Sequence, residues 1–275
     1  MSSAMTPREL ADGKLLLDEP APTVARLTIS NPEKRNALDH SILDATTAAL
    51  TELAQAGSVT RCVIVTGAHG IFSAGYEIGE IGNGRFQKEA ERLVAHPFTE
   101  AIEALERFPY PTLAALPGHA IGGGLELSLA CDLRVAAQGI KLGMPPAKLG
   151  LVYSHTGLRR FLDTIGLPRT RELFLLGSYI DADTALAWGL VNRIASGEEL
   201  ESAAIELARD LASNAPLSQA GNKRVIGALL QAQGRLPEDV EVELIELRRA
   251  SFESHDLREG MSAFAEKRPP RWRGE

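Results

Sequence analysis

Cysteine is scarce in this chain, two among 275 residues. Cys62 and Cys131 each lie in an apolar run, RCVIV and LSLACDL, and read as small core residues. Two thiols are too few for a cysteine metal centre, and a disulfide between them is the weaker reading. A basic excess is also missing: 29 Lys+Arg face 36 Asp+Glu, a formal net charge of −7. That argues against a nucleic-acid partner, because neutralising phosphates needs a basic surface. Small anionic ligands need only a local basic patch, so they stay open. No apolar run reaches the ~18 residues of a membrane span, and MSSAMTPRELADGK lacks the cationic and apolar pattern of a signal peptide. A cytoplasmic location is the expectation. The chain shows no repeat, low-complexity tract or linker. It has no G-x-S-x-G elbow, no G-x-x-x-x-G-K-[ST] phosphate loop, no H-E-x-x-H, and no G-x-G-x-x-G after a strand. Without a nicotinamide or flavin fingerprint, redox chemistry is disfavoured.

What is present is ordinary globular composition, 44% apolar and 24% charged. A chain this long buries roughly three quarters of its unfolded surface, enough for a sizeable core. Short β-rich runs at 14–19 and 23–29 predict a strand pair. Asp39 is placed to cap a helix from about His40 to Ala56, with Ile42, Ala45, Ala49 and Leu53 at helical spacing. RCVIVT (61–66) has the near-continuous apolar character of a strand buried on both faces. Helix (87–107), strand (111–116), helix (122–130) and strand (132–137) follow. This alternation predicts α/β architecture with parallel pairing. From about residue 155 helical patterns dominate, with one short strand candidate at 190–195. The expected plan is an α/β core over 1–195 and a helical portion over 196–275.

Two glycine-bearing strand exits stand out, VIVTGAHGIFSAGYEIGEI (63–81) and ALPGHAIGGGLELSLACDL (115–133). Three glycines at a helix start are entropically costly, so a steric reason is expected for them. A free N–H at such a terminus suits an anion or a developing oxyanion. Glu126 falls in the first turn of that helix. The plainer reading is that Glu126 complements the helix dipole and the glycines only permit close packing; spacing alone leaves the two readings even.

The sequence resembles the crotonase family, the enoyl-CoA hydratase/isomerase superfamily, which acts on coenzyme A thioesters. The matching pieces are NPEKRNALD (31–39), VIVTG (63–67), FSAGYEI (72–78), GHAIGGGLELSLACDLRVAA (118–137), MPPAKLGL (144–151), GLVNRI (189–194) and FAEKRPP (264–270), in the family's order and across nearly the whole chain. The resemblance implies a stacked ββα spiral core with a helical C-terminal trimerisation portion, assembled as trimers or hexamers. It implies that the backbone N–H groups of Tyr76 and Gly123 bind the thioester oxygen. Lys34, Arg35, Ala37 and Ala74 would lie along the CoA moiety, and Lys267 and Arg268 would approach its phosphates. For the four cations the plainer alternative is a solvated surface. CoA enters as part of the substrate, with no cofactor and no metal implied.

The resemblance also exposes a departure. A hydratase of this family pairs two glutamates on one water. Glu126 matches the first, but Pro146 stands where the second is expected, and proline transfers no proton. Lys148 reads as a snorkelling surface lysine and His155 as a helix-cap neighbour. Tyr153 is a stronger candidate, because MPPAKLGLVYS (144–154) resembles the matching segment of methylmalonyl-CoA decarboxylases, whose tyrosine lies at the acyl pocket. No Asp occupies the position used as nucleophile in the family's dehalogenases. The leading reading is a hydratase/isomerase-type lyase with Glu126 as acid/base. The alternative is decarboxylation of a malonyl-type CoA, and a non-catalytic CoA-thioester binder is disfavoured by the intact GGG-L-E and FSAG. The acyl pocket is expected from about 78–100.

Overall fold

The computed structural model describes residues 7–77, 97–234 and 236–275. Most of the segment expected to line the acyl pocket, and residues 87–96 of one expected helix, lie outside the described residues. The expected strand pair is β2 (Leu15–Ala21) and β3 (Val24–Ile29), antiparallel, with β1 (Arg8–Leu10) added at the edge. Helix α1 (His40–Leu53) begins where the Asp39 carboxylate accepts the Ile42 N–H, satisfying one of the free donors of the first turn. It buries Ile42, Leu43, Ala49 and Leu50 on one face.

From there each turn of the chain repeats one unit. A main-sheet strand is followed by a short excursion into a second layer and then by a helix. The main-sheet members are β4 (Cys62–Gly67), β5 (Thr112–Leu116) and β7 (Leu133–Ala137). The excursions are the bridge at Ser73, β6 (Ala120–Ile121) and β8 (Lys141–Gly143). The helices are α2 (Pro97–Arg107), α3 (Gly123–Leu129) and the pair α4 (Pro146–Leu149) and α5 (His155–Leu176). With β9 (Tyr179–Asp181), α6 (Ala182–Ala187) and β10 (Arg193–Ala195), the main sheet runs β1-β2-β3-β4-β5-β7-β10, parallel from β3 onward. The second sheet is β6-β8-β9. This is the ββα spiral that the resemblance implies. Its central strands β4 and β5 are nearly continuous apolar runs because helices or the second layer cover both faces.

Helix α7 (Leu200–Ser213) packs Leu200, Ala204, Leu207 and Ala208 onto the main sheet. Helix α8 (Pro216–Gln233) buries no residue on the rest of the chain. Its tie to the core is polar: the Lys223 ammonium donates to Asp132 (2.7 Å) and to the carbonyls of Leu105 and Tyr110. Helices α9 (Glu238–Glu253) and α10 (His255–Ala265) form a small second cluster, Phe252, Leu257 and Met261, against Leu149 and Leu151. Cys62 and Cys131 are buried free thiols, and burial pushes both up to about 12. No helix among the described residues is long and apolar enough to cross a membrane.

Candidate active site

The two glycine-bearing strand exits meet. Segment 72–77 threads between the loop that follows β3 and the start of β6. Leu38 N–H donates to the Gly75 carbonyl (2.7 Å), Glu77 N–H to the Leu38 carbonyl (2.9 Å), and Ile121 N–H to the Ser73 carbonyl (3.0 Å). A Cβ at Gly75 would stand 3.3 Å from the Gly123 nitrogen, and one at Gly123 would stand 2.6 Å from the Tyr76 ring. Only glycine permits that approach, which supplies the steric reason sought in the sequence. Among the described residues neither the Tyr76 N–H nor the Gly123 N–H has a backbone acceptor. Gly123 opens α3, so the helix's positive end backs its free donor.

Glu126, three residues into α3, is 2% exposed. Its Oε1 accepts from Arg160 Nη1 (3.1 Å). Its Oε2 accepts from the Tyr153 hydroxyl and, at 3.5 Å, from that of Tyr76, while the two phenol oxygens lie 3.3 Å apart. Burial pushes the Glu126 carboxyl above its ordinary range; the Arg160 charge and the Tyr153 hydrogen bond oppose that shift. Burial and the adjacent Glu126 charge hold both phenols well above their usual value, so they remain proton donors. Gly157 allows the cluster to close: a Cβ there would lie 2.6 Å from the Tyr153 ring and 2.8 Å from Glu126 Oε1. Ring contacts fix the phenols, Tyr76 edge-on to Phe98 at 4.7 Å and Tyr153 to Phe174 at 5.4 Å.

Arg160 was not foreseen from the sequence. It also holds the half-exposed Glu106 (2.6 Å), so Glu106 contacts Arg160 rather than Glu126. Its signal was position: Arg160 sits three residues past Gly157 and one before Phe161, on the buried stripe of α5. Pro146 is buried at the first turn of α4, Lys148 is exposed beside the Tyr179 ring, and His155 faces Glu241 (3.5 Å).

The expected CoA residues fall into two groups, the 31–38 loop with Ala74 and the pair just past α10. Asn36 holds the 31–38 loop by donating to the carbonyls of Ala68 (2.9 Å) and Ile71 (2.8 Å). Within that loop Lys34 and Arg35 are exposed, and Lys34 faces Glu77 at 3.5 Å. Ala37 is buried, its carbonyl accepting from Asn31, whereas Ala74 is exposed with its N–H on the Arg35 carbonyl. Lys267 is exposed just past α10. Arg268 is committed to Glu259 (2.6 and 3.0 Å) and Glu266 (2.6 Å). No described contact joins either residue to the Glu126 cluster.

The sequence model of the enoyl-CoA hydratase/isomerase family matches residues 19–275. The chain belongs to that family. The relatives of this enoyl-CoA hydratase/isomerase family member include a probable enoyl-CoA hydratase of Bacillus subtilis (strain 168), 35% identical over 92% of this chain and 96% of that one. They also include the methylmalonyl-CoA decarboxylase of Escherichia coli (strain K12), 31% identical over 91% and 95%. Among solved structures, methylmalonyl-CoA decarboxylase in complex with 2-nitronate-propionyl-CoA superposes with a TM-score of 0.85 at 29% identity, over 95% of this chain and 99% of that one. As a family member the chain is an acyl-CoA enzyme, and its relatives carry more than one reaction on this fold.

Proposed function

We propose that this enzyme decarboxylates a malonyl-type acyl-CoA thioester. The observation that carries the reading is the state of Glu126. Its Oε1 accepts from Arg160 and its Oε2 from Tyr153, and the nearby carboxylate, Glu106, is engaged by Arg160 instead of facing Glu126. Adding water across a double bond calls for a second carboxyl as partner to the first, and among the described residues no carboxyl is in contact with Glu126, with Pro146 at the position expected for one. Decarboxylation needs no base in its first step. The bond from the α-carbon to the carboxylate carbon breaks, its electron pair moves into the thioester as an enolate, and CO₂ leaves. The N–H groups of Tyr76 and Gly123 stabilise the enolate oxygen, and one such donor is worth about 3–4 kcal/mol. The Tyr153–Glu126 pair then delivers a proton to the α-carbon, and water resupplies it. Lys34, Arg35, Ala37, Ala74, Lys267 and Arg268 serve the CoA portion. The similarity to methylmalonyl-CoA decarboxylase supports the same reading.

A second reading, hydratase/isomerase chemistry with Glu126 as the lone proton shuttle, is favoured by the 35% identity to the Bacillus subtilis relative. Mass spectrometry of the purified protein with methylmalonyl-CoA and crotonyl-CoA in parallel decides between them. Loss of CO₂ from the first is expected. Addition of water to the second without loss of CO₂ from the first would reject the decarboxylase.

A further inference from the structure

Arg248 on α9 takes no part in the contacts described for the site. Its Nε is buried with no hydrogen-bond partner, and among the described residues the guanidinium forms no ion pair. Arg248 as a whole is half-buried, but its Nε is shut off from solvent with no partner, so that donor has lost its hydration without a replacement. Its guanidinium carbon lies 5.5 Å from the centre of the Phe252 ring. The backbone there is fixed to the site: the Ser251 hydroxyl donates to the Arg248 carbonyl (2.7 Å) and accepts the N–H of Val152 (3.0 Å), the neighbour of Tyr153. The positive charge of Arg248 is felt at both Glu126 and Tyr76, lowering the pKa of each against the effect of burial.

Glu126 takes its described hydrogen bonds from Arg160, Tyr153 and Tyr76, and none from Arg248. The cation is therefore available to an anion that arrives with the substrate. The thioester carbonyl is already matched by the two backbone N–H groups, and the CoA phosphates belong to the far end of the molecule. We infer that Arg248 receives the free carboxylate of a dicarboxylic acyl group and so selects acyl-CoA thioesters that carry a second carboxyl over plain enoyl or alkanoyl ones. A guanidinium is suited to this, with planar donors that match a carboxylate. The inference rests on the acyl site proposed above and names its substrate class without depending on which bond breaks.

Binding of two unreactive thioethers by calorimetry tests it: 2-carboxypropyl-CoA and propyl-CoA, which differ by the carboxylate. The wild type is expected to prefer the carboxylated ligand by roughly tenfold or more. Arg248→Leu should lose that preference and bind propyl-CoA as before, while Arg248→Lys keeps part of it. A wild type without the preference, or an Arg248→Leu variant that keeps it or weakens both ligands equally, overturns the inference. If Arg248→Leu does not fold, Arg248→Lys decides by the same comparison, and an unchanged preference there with a twofold or smaller loss rejects it. A preference that disappears in Arg248→Leu while the wild type releases no CO₂ from methylmalonyl-CoA would leave the inference standing and remove the decarboxylase reading.

Discussion

Arg160 Nη1 lies 3.1 Å from Glu126 Oε1, so the buried carboxylate of α3 is anchored by a cation from α5, a later turn of the spiral. Burial raises the Glu126 pKa and Arg160 holds it down. Replacing Arg160 by Gln should therefore move that pKa further up. If the protonated carboxyl supplies the proton, activity falls as pH rises through its pKa, and the falling limb shifts to higher pH in Arg160→Gln. If Glu126 acts as a base, the affected limb rises with pH and shifts in the same direction. The pH profile of kcat/KM shows which limb moves; an unmoved profile would detach Arg160 from the chemistry. Stability should drop by on the order of 3 kcal/mol, the usual cost of breaking a buried pair.

Glu126→Gln should leave CoA-thioester affinity intact, because the backbone donors are untouched. Any hydration of crotonyl-CoA should fall by ~10²–10⁴-fold, mainly in kcat. Decarboxylation should change far less, since loss of CO₂ needs no base, and removing a negative charge near the substrate carboxylate eases repulsion in binding. Steady-state kinetics on both substrates measures this. A Gln variant with a full hydration rate would remove Glu126 from that mechanism.

Gly124→Ala should be destabilising without touching the acid/base cluster. Its Cβ would meet the backbone carbonyl of Ser73 at 2.7 Å and the Ser73 Cβ at 2.6 Å, neither of which swings away. Overpacking of this kind costs about 1–3 kcal/mol, and thermal unfolding should show a Tm lower by roughly 2–4 °C per kcal/mol. An unchanged Tm would mean that the two strand exits are less closely packed than this geometry requires.

We expect self-association through the α8 and α9 faces. Leu217 is 89% exposed, and Val225, Ile226, Leu229, Leu230 and Leu247 are exposed with it. An apolar face of that extent is unusual on a monomer. Light scattering should give three or six times 29.5 kDa at micromolar concentration. The double substitution Ile226→Asp and Leu229→Asp should reduce it to the monomer mass. A wild type that runs as a monomer would refute the expectation.

Local sequence determined much of this protein. The alternation of apolar runs with helical spacing placed the strands of the main sheet, and Asp39 marked the start of α1, because periodicity and capping act within a few residues. The glycines at 122–124 and the FSAG segment marked the region where the two strand exits meet. The short members of the second sheet, β6 and β9, carried too few residues to show a period, and pairing across the fold makes them strands. The same is true of the electrostatics. Glu126 could be named from its motif, but its raised pKa comes from burial, and its anchoring comes from Arg160 and Tyr153, both more than twenty residues away. Arg248 is more distant still and lies on a helix whose pattern reads as surface. Desolvation and charge pairing depend on distance in space, so only the tertiary structure could decide them.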